Sequence, residues 1–112
     1  MGQLNENAVE RAERALAAAQ KAVQDIEDDI LRIQDEEREL RRRERELREI
    51  VRNENTPEDE AQEARDERYV VKCRIADLAS ELQEAHNEVH ALRNNRDARE
   101  ADLRRAQEEQ GS

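Results

Sequence analysis

Apolar residues recur at alternating spacings of three and four along two stretches of this chain. The first stretch is Val9, Ala12, Leu16, Ala19, Val23, Ile26, Ile30, Ile33, Glu37, Leu40, Glu44, Leu47 and Val51. The second is Ala61, Ala64, Arg68, Val71, Ile75, Leu78, Leu82, Ala85, Val89, Leu92, Arg96, Arg99, Leu103 and Ala106. Of these 27 positions 22 are apolar, in a chain that is only 35% hydrophobic, so the apolar residues are concentrated on one stripe. A stripe with a mean spacing of three and a half residues is the seam of a coiled coil. The pattern predicts an all-α fold, a long antiparallel two-helix coiled-coil hairpin.

The helix boundaries follow from capping signals. Asn7 stands three residues before Glu10, the spacing of a capping box. Between the two seams lies Arg52-Asn53-Glu54-Asn55-Thr56-Pro57, the one strong stop signal of the chain. Asn53 or Asn55 is expected to adopt the left-handed conformation that ends a helix. Pro57 disfavours helical geometry at Thr56 and suits the first position of a new helix. Thr56 then caps, and Glu58, Asp59 and Glu60 complement the positive end of the helix dipole. The expected organisation is one domain: an N-terminal tail over 1–7, helix 8–52, turn 53–56, helix 57–109 and a C-terminal tail over 110–112. Each helix would be roughly 70–80 Å long at 1.5 Å per residue.

A four-residue connection cannot bring the second helix back parallel to the first, which leaves a hairpin or a broken rod. The seams favour the hairpin. When paired residue numbers total about 108, Ile33 meets Ile75, Ile30 meets Leu78 and Ile26 meets Leu82. Beside this seam, Arg43 with Glu67, Glu36 with Arg74, Arg48 with Glu58 and Glu13 with Arg93 would be opposite in sign. Asp29 with Glu81 and Arg41 with Arg65 would be alike. The regional balance points the same way: residues 38–52 hold seven Arg against four Glu, whereas residues 53–67 hold seven acids against one Arg. A shift by one heptad, to a total of 115, is the rival alignment.

Composition narrows the function classes. Charged residues make up 45% of the chain, and Tyr69 is its one aromatic residue. A chain with so few large apolar groups cannot build a compact globular core, and without the heptad it would be read as disordered. The net charge of −10 argues against nucleic acid and against anionic membrane surfaces as partners. With no signal-peptide pattern and no membrane-spanning stretch, the expected location is intracellular, in the cytoplasm. Met1-Gly2 and Gly111-Ser112 resemble appended ends, and the chain is expected to be a segment of a longer protein.

Candidate chemistry is sparse. Glu37, Glu44, Arg68, Arg96 and Arg99 occupy seam positions. Polar seam residues trade stability for a unique alignment, so these are read as register-setting. Ala8, Ala15 and Ala22 widen the first seam into a small-residue face that admits a second hairpin. Tyr69, Val70 and Cys73, off the seam beside Lys72 and Arg74, form a candidate partner-contact patch. His86 and His90 are four apart and share a face, but Asn87-Glu88-Val89 between them does not make a zinc-protease motif, and no third ligand is evident. Cys73 cannot form an internal disulfide, being the sole cysteine. No catalytic, cofactor-binding or metal-ligating set is found, so neither enzymatic activity nor a cofactor is expected. The expected function is a structural or protein-interaction module: a rigid spacer, docking arm, dimerisation or autoinhibitory segment, most simply as a homodimer. The alternative is a free-standing small acidic adaptor or chaperone-like regulator that binds a client protein.

Overall fold

The structure, a computed structural model, describes residues 7–111. Residues 1–6 of the expected N-terminal tail and Ser112 lie outside them. Two α-helices follow one another, α1 over Ala8–Arg52 and α2 over Glu58–Gly111. The chain is all-α, a hairpin of two long antiparallel helices. Alanine, glutamate, arginine and leucine dominate both helices and are strong helix formers, and the single proline lies before α2 rather than inside it.

Asn7 caps α1. Its Oδ1 accepts the Glu10 amide at 2.8 Å, its Nδ2 donates to Glu10 Oε1 at 3.4 Å, and its carbonyl accepts the Arg11 amide. One of the amides that a helix start leaves without an intrahelical acceptor, that of Glu10, is thereby satisfied, and the Arg11 amide makes the first intrahelical bond.

The turn closes differently from the expectation. No described residue has positive φ, so neither Asn53 nor Asn55 is left-handed. Instead Asn53 Oδ1 accepts the Asn55 amide at 2.9 Å, and the Asn53 carbonyl accepts the Thr56 amide at 3.1 Å. An asparagine side chain that bonds its own backbone two residues on substitutes for the left-handed residue. The Pro57 carbonyl then accepts the Ala61 amide and opens α2.

The chain divides into two compact units: Asp29–Glu84, which contains the turn, and Met1–Asp28 with Ala85–Ser112. In the turn-containing unit Leu47, Ala64 and Val71 form a buried cluster, with Leu40, Ile50, Val51 and Ile75 packed against it. Ile30, Ala61 and Leu78 are also buried there. In the other unit the buried residues are Ala19, Val23, Ile26, Ala85, Val89 and Ala106, a core of small side chains. None of the 27 seam positions is exposed, including the five charged ones.

The ion pairs between the helices report the alignment. Arg43 donates to Glu67 at 2.7 and 2.9 Å, and Arg74 to Glu36 at 2.8 and 3.2 Å. Both pairs lie in the turn-containing unit and are those anticipated for the alignment totalling 108. In that unit a one-heptad shift would set Arg43 against Arg74 and Glu36 against Glu81, both alike in sign. Two other anticipated pairs do not form. Glu58 turns back to Arg65 on its own helix at 3.1 Å. Arg93 bonds Glu27 at 2.8 Å rather than Glu13. Glu27 is 14 residues, about 21 Å of helix, nearer the turn than Glu13, farther than an arginine side chain reaches, so the stretch of α2 around Arg93 does not face α1 in the alignment totalling 108.

Candidate functional site

The polar seam residues have distinct environments. Arg68 Nε donates to Glu44 Oε1 at 2.8 Å, with both side chains mostly covered. This is a seam ion pair between the two helices. Glu37 lies half-buried with Arg41 Nε at 3.7 Å. In the other unit Arg96 and Arg99 are half-buried and turn to carboxylates on their own helix, Arg96 to Asp97 and Arg99 to Asp102, each at 3.3 Å. The Arg99 Nε contact lacks hydrogen-bond geometry.

Around the turn-containing unit the two flanks of the seam differ in charge. One flank carries the Arg43–Glu67 and Arg74–Glu36 pairs. On the other flank Arg38, Arg41, Arg45, Arg48 and Arg52 follow the three-four spacing that keeps residues on one stripe of α1. Arg41, Arg45 and Arg48 of this stripe, with Arg68 and Lys72 of α2, line an open groove of about 690 Å³. Ile75, Ala76 and Ala79 supply its apolar lining, and Glu44 is its one carboxylate. The two alanines leave the space that a longer side chain would fill. Among the described residues, no carboxylate lies within ion-pair distance of Arg45, Arg48 or Lys72. The Arg48 Nε is shielded from solvent and has no hydrogen-bond partner. A groove with five cations and one carboxylate stands out in a chain whose net charge is −10.

The arginine stripe is not apparent from the regional excess of seven arginines over residues 38–52. Sorting those arginines by helix face is what places five of them on one stripe. The like-signed Arg41 and Arg65, which count against the alignment, are a trace of this same flank.

Tyr69 is 71% exposed and Val70 65%, and Cys73 is exposed with a free thiol. Tyr69, Lys72, Ala76 and Ala79 share the stripe of α2 that borders the groove, so Tyr69 extends that flank. Val70 points away from it, toward the flank of Glu67 and Arg74, and Cys73 lies between, on the outer face. Ala8 and Ala15 are exposed and Ala22 is half-buried. Ala22 belongs to the other unit, as do Ala8 and Ala15, so the small-residue face and the groove are separate features. His86 and His90 are both exposed, and the described residues contain no group of three or more His, Cys, Asp or Glu side chains placed to hold a metal ion. Among the described residues, no helix is long and apolar enough to cross a membrane.

The pairs between the helices set a pH dependence. Hydrogen bonds from Arg74, Arg68 and Arg43 hold the carboxyls of Glu36, Glu44 and Glu67, respectively, below the usual carboxylate range. A carboxyl depressed in the folded state contributes stability above its unfolded value of about 4.3, and that stability is lost as pH falls through the folded value. The variant carrying Glu36→Gln and Glu67→Gln is therefore expected to melt a few degrees below the parent at neutral pH. The gap should close as pH falls from about 5 toward 2. Paired thermal melts across that range check this, and a gap that does not change with pH would mean that these pairs contribute no charge-dependent stability.

Comparison of the chain with protein-family models, with curated proteins and with solved structures gave no match in any of the three.

Proposed function

We propose that this hairpin is a structural protein-interaction module, a stiff arm that docks a partner through the groove of its turn-containing unit. One observation carries the reading: the seam residues are occupied in joining α1 to α2, while Arg45, Arg48 and Lys72 stand beside an apolar lining without carboxylate partners of their own. An excess of cations around an apolar centre matches the composition of a docking surface, in which arginine and aromatic residues supply most of the binding energy. Tyr69 on the same flank fits that role. Carboxylates arrayed on a partner helix are the matching chemistry, because a guanidinium grips a carboxylate through two parallel hydrogen bonds.

The test uses the full chain immobilised on a surface, with retained protein measured. Arg45→Glu with Lys72→Glu should abolish retention, and Tyr69→Ala should weaken it severalfold, with helicity and melting temperature nearly unchanged. Retention that survives the double reversal and is lost instead on changing Ala15 or Ala22 would move the docking surface to the alanine face. A hairpin that retains no protein, its own copies included, would overturn the module reading.

A further inference from the structure

Residues Asp29–Glu84 carry a second charged stripe on the flank opposite the groove. On α2, Glu60, Glu63, Glu67, Asp77, Glu81 and Glu84 follow the same three-four spacing as the arginines of α1. Val70 and Arg74 complete the stripe, and Arg74 is the sole cation in it. All six acidic residues are exposed. Glu67 is held by Arg43 and Glu81 lies 3.7 Å from Arg74, while Glu60, Glu63 and Glu84 have no cation within ion-pair distance among the described residues. One hairpin therefore presents an arginine-rich flank and a glutamate-rich flank on opposite sides of a single seam.

We propose that the acidic stripe of one copy of this chain docks into the arginine groove of a second copy. The proposal rests on the module reading above and names its partner. Three observations support a second copy as the occupant. The two stripes are opposite in charge. They share one helical pitch, and the arginine stripe, roughly 20 Å long at 1.5 Å per residue, fits within the acidic one of roughly 35 Å. Val70 projects from the centre of the acidic stripe at 65% exposure, and the groove offers Ile75, Ala76 and Ala79 as an apolar seat among its cations. The net charge of −10 does not forbid the contact, since charges more than about 8 Å apart are screened at physiological salt while pairs in contact are not.

The geometry of association follows. The donor and acceptor flanks are different surfaces, so the contact is heterologous, and each docked copy still offers one free flank of each kind. Association is open-ended, laying hairpins side by side, rather than closed at a dimer.

Sedimentation equilibrium of the full chain tests this. At about 50 mM salt the weight-average mass should rise with concentration past that of a dimer, and at about 500 mM it should return to the 13.1 kDa monomer. Arg45→Glu with Lys72→Glu on the groove, or Glu63→Lys with Glu84→Lys on the stripe, should each weaken association at least tenfold. Mixing the two variants should restore a one-to-one dimer that grows no further, because the groove of the second accepts the stripe of the first. Val70→Ala should weaken association severalfold at unchanged net charge. Should a double change unfold the hairpin, Lys72→Glu alone, at an exposed side chain, tests the groove in its place and should weaken association in the same direction.

Four results would each overturn the proposal: a wild type that stays monomeric at high concentration and low salt, a closed dimer indifferent to both reversals, a mixture that does not associate, or a groove that takes an unrelated acidic peptide or polyphosphate but not this chain. A monomeric wild type that still retains another protein on the immobilised hairpin would sink self-docking and leave the module reading standing. Retention of nothing would sink both.

Discussion

Replacing Leu47 with alanine is expected to cost about 2–4 kcal/mol of stability and to lower the melting temperature by on the order of 10 °C or more. Leu47 is 1% exposed, sits in the buried cluster with Ala64 and Val71, and has Leu40, Ile50, Val51 and Ile75 packed around it. Its removal strips apolar area from the centre of the unit and leaves a void that two fixed helices refill only in part. Leu78, also 1% exposed, should behave similarly. Leu82 is only half-buried, so truncating it should cost less. Leu31, 58% exposed and off the seam, is the control, and its truncation should change stability little. Denaturant unfolding of these variants beside the parent checks the order. Equal losses at Leu47 and Leu31 would show that the seam does not hold the helices together.

The second large effect is expected at the charged seam layer. Glu44 is the only carboxylate in the groove, bonded to Arg68 and close enough to Arg48 and Lys72 to feel their charge. Glu44→Lys replaces one attraction with several repulsions in a partly covered site. It should lower the melting temperature by roughly 5–10 °C, and added salt should recover part of that loss by screening. The salt dependence separates this mechanism from a packing defect, because a cavity such as that left by Leu47→Ala is not repaired by screening. A variant that melts like the parent would show that the Glu44–Arg68 layer is not part of what aligns the helices.

Much of the fold was legible because a hairpin of two helices is written in one repeat. Positions such as Ile30, Leu47, Val71 and Leu78 follow the seam spacing without exception, and a seam in register needs no long-range knowledge to be read. The cap at Asn7 was legible for the same reason: its partner, Glu10, is three residues away. The turn was less legible. Asparagine reverses a chain either by a left-handed backbone or by bonding its own backbone, and Asn53 takes the second route. The pairs between the helices were half legible. Arg43–Glu67 and Arg74–Glu36 follow from residue spacing, but Arg93–Glu27 does not, because the alignment totalling 108 does not hold in the unit that contains it.

The candidate site was the least legible part. The rare residues Tyr69, Val70 and Cys73 draw the eye in the sequence, whereas the groove is built from the commonest ones. An arginine among twenty basic residues carries no signal by itself. The signal lies in its face, and the face matters only once α2 is placed beside α1 and the small side chains of Ala76 and Ala79 open the floor between them.

The central claim is that one chain folds back on itself with α1 and α2 antiparallel. The distance between spin labels at Arg32 and Asp77, both exposed and both in the turn-containing unit, tests it most directly. The labelled chain is diluted with unlabelled protein, so that only distances within one chain are read. Helix axes 8–10 Å apart, with the labels pointing outward, predict a single narrow distribution near roughly 20–25 Å. A distribution near roughly 65–70 Å, the separation of these residues along one continuous helix, would contradict the account.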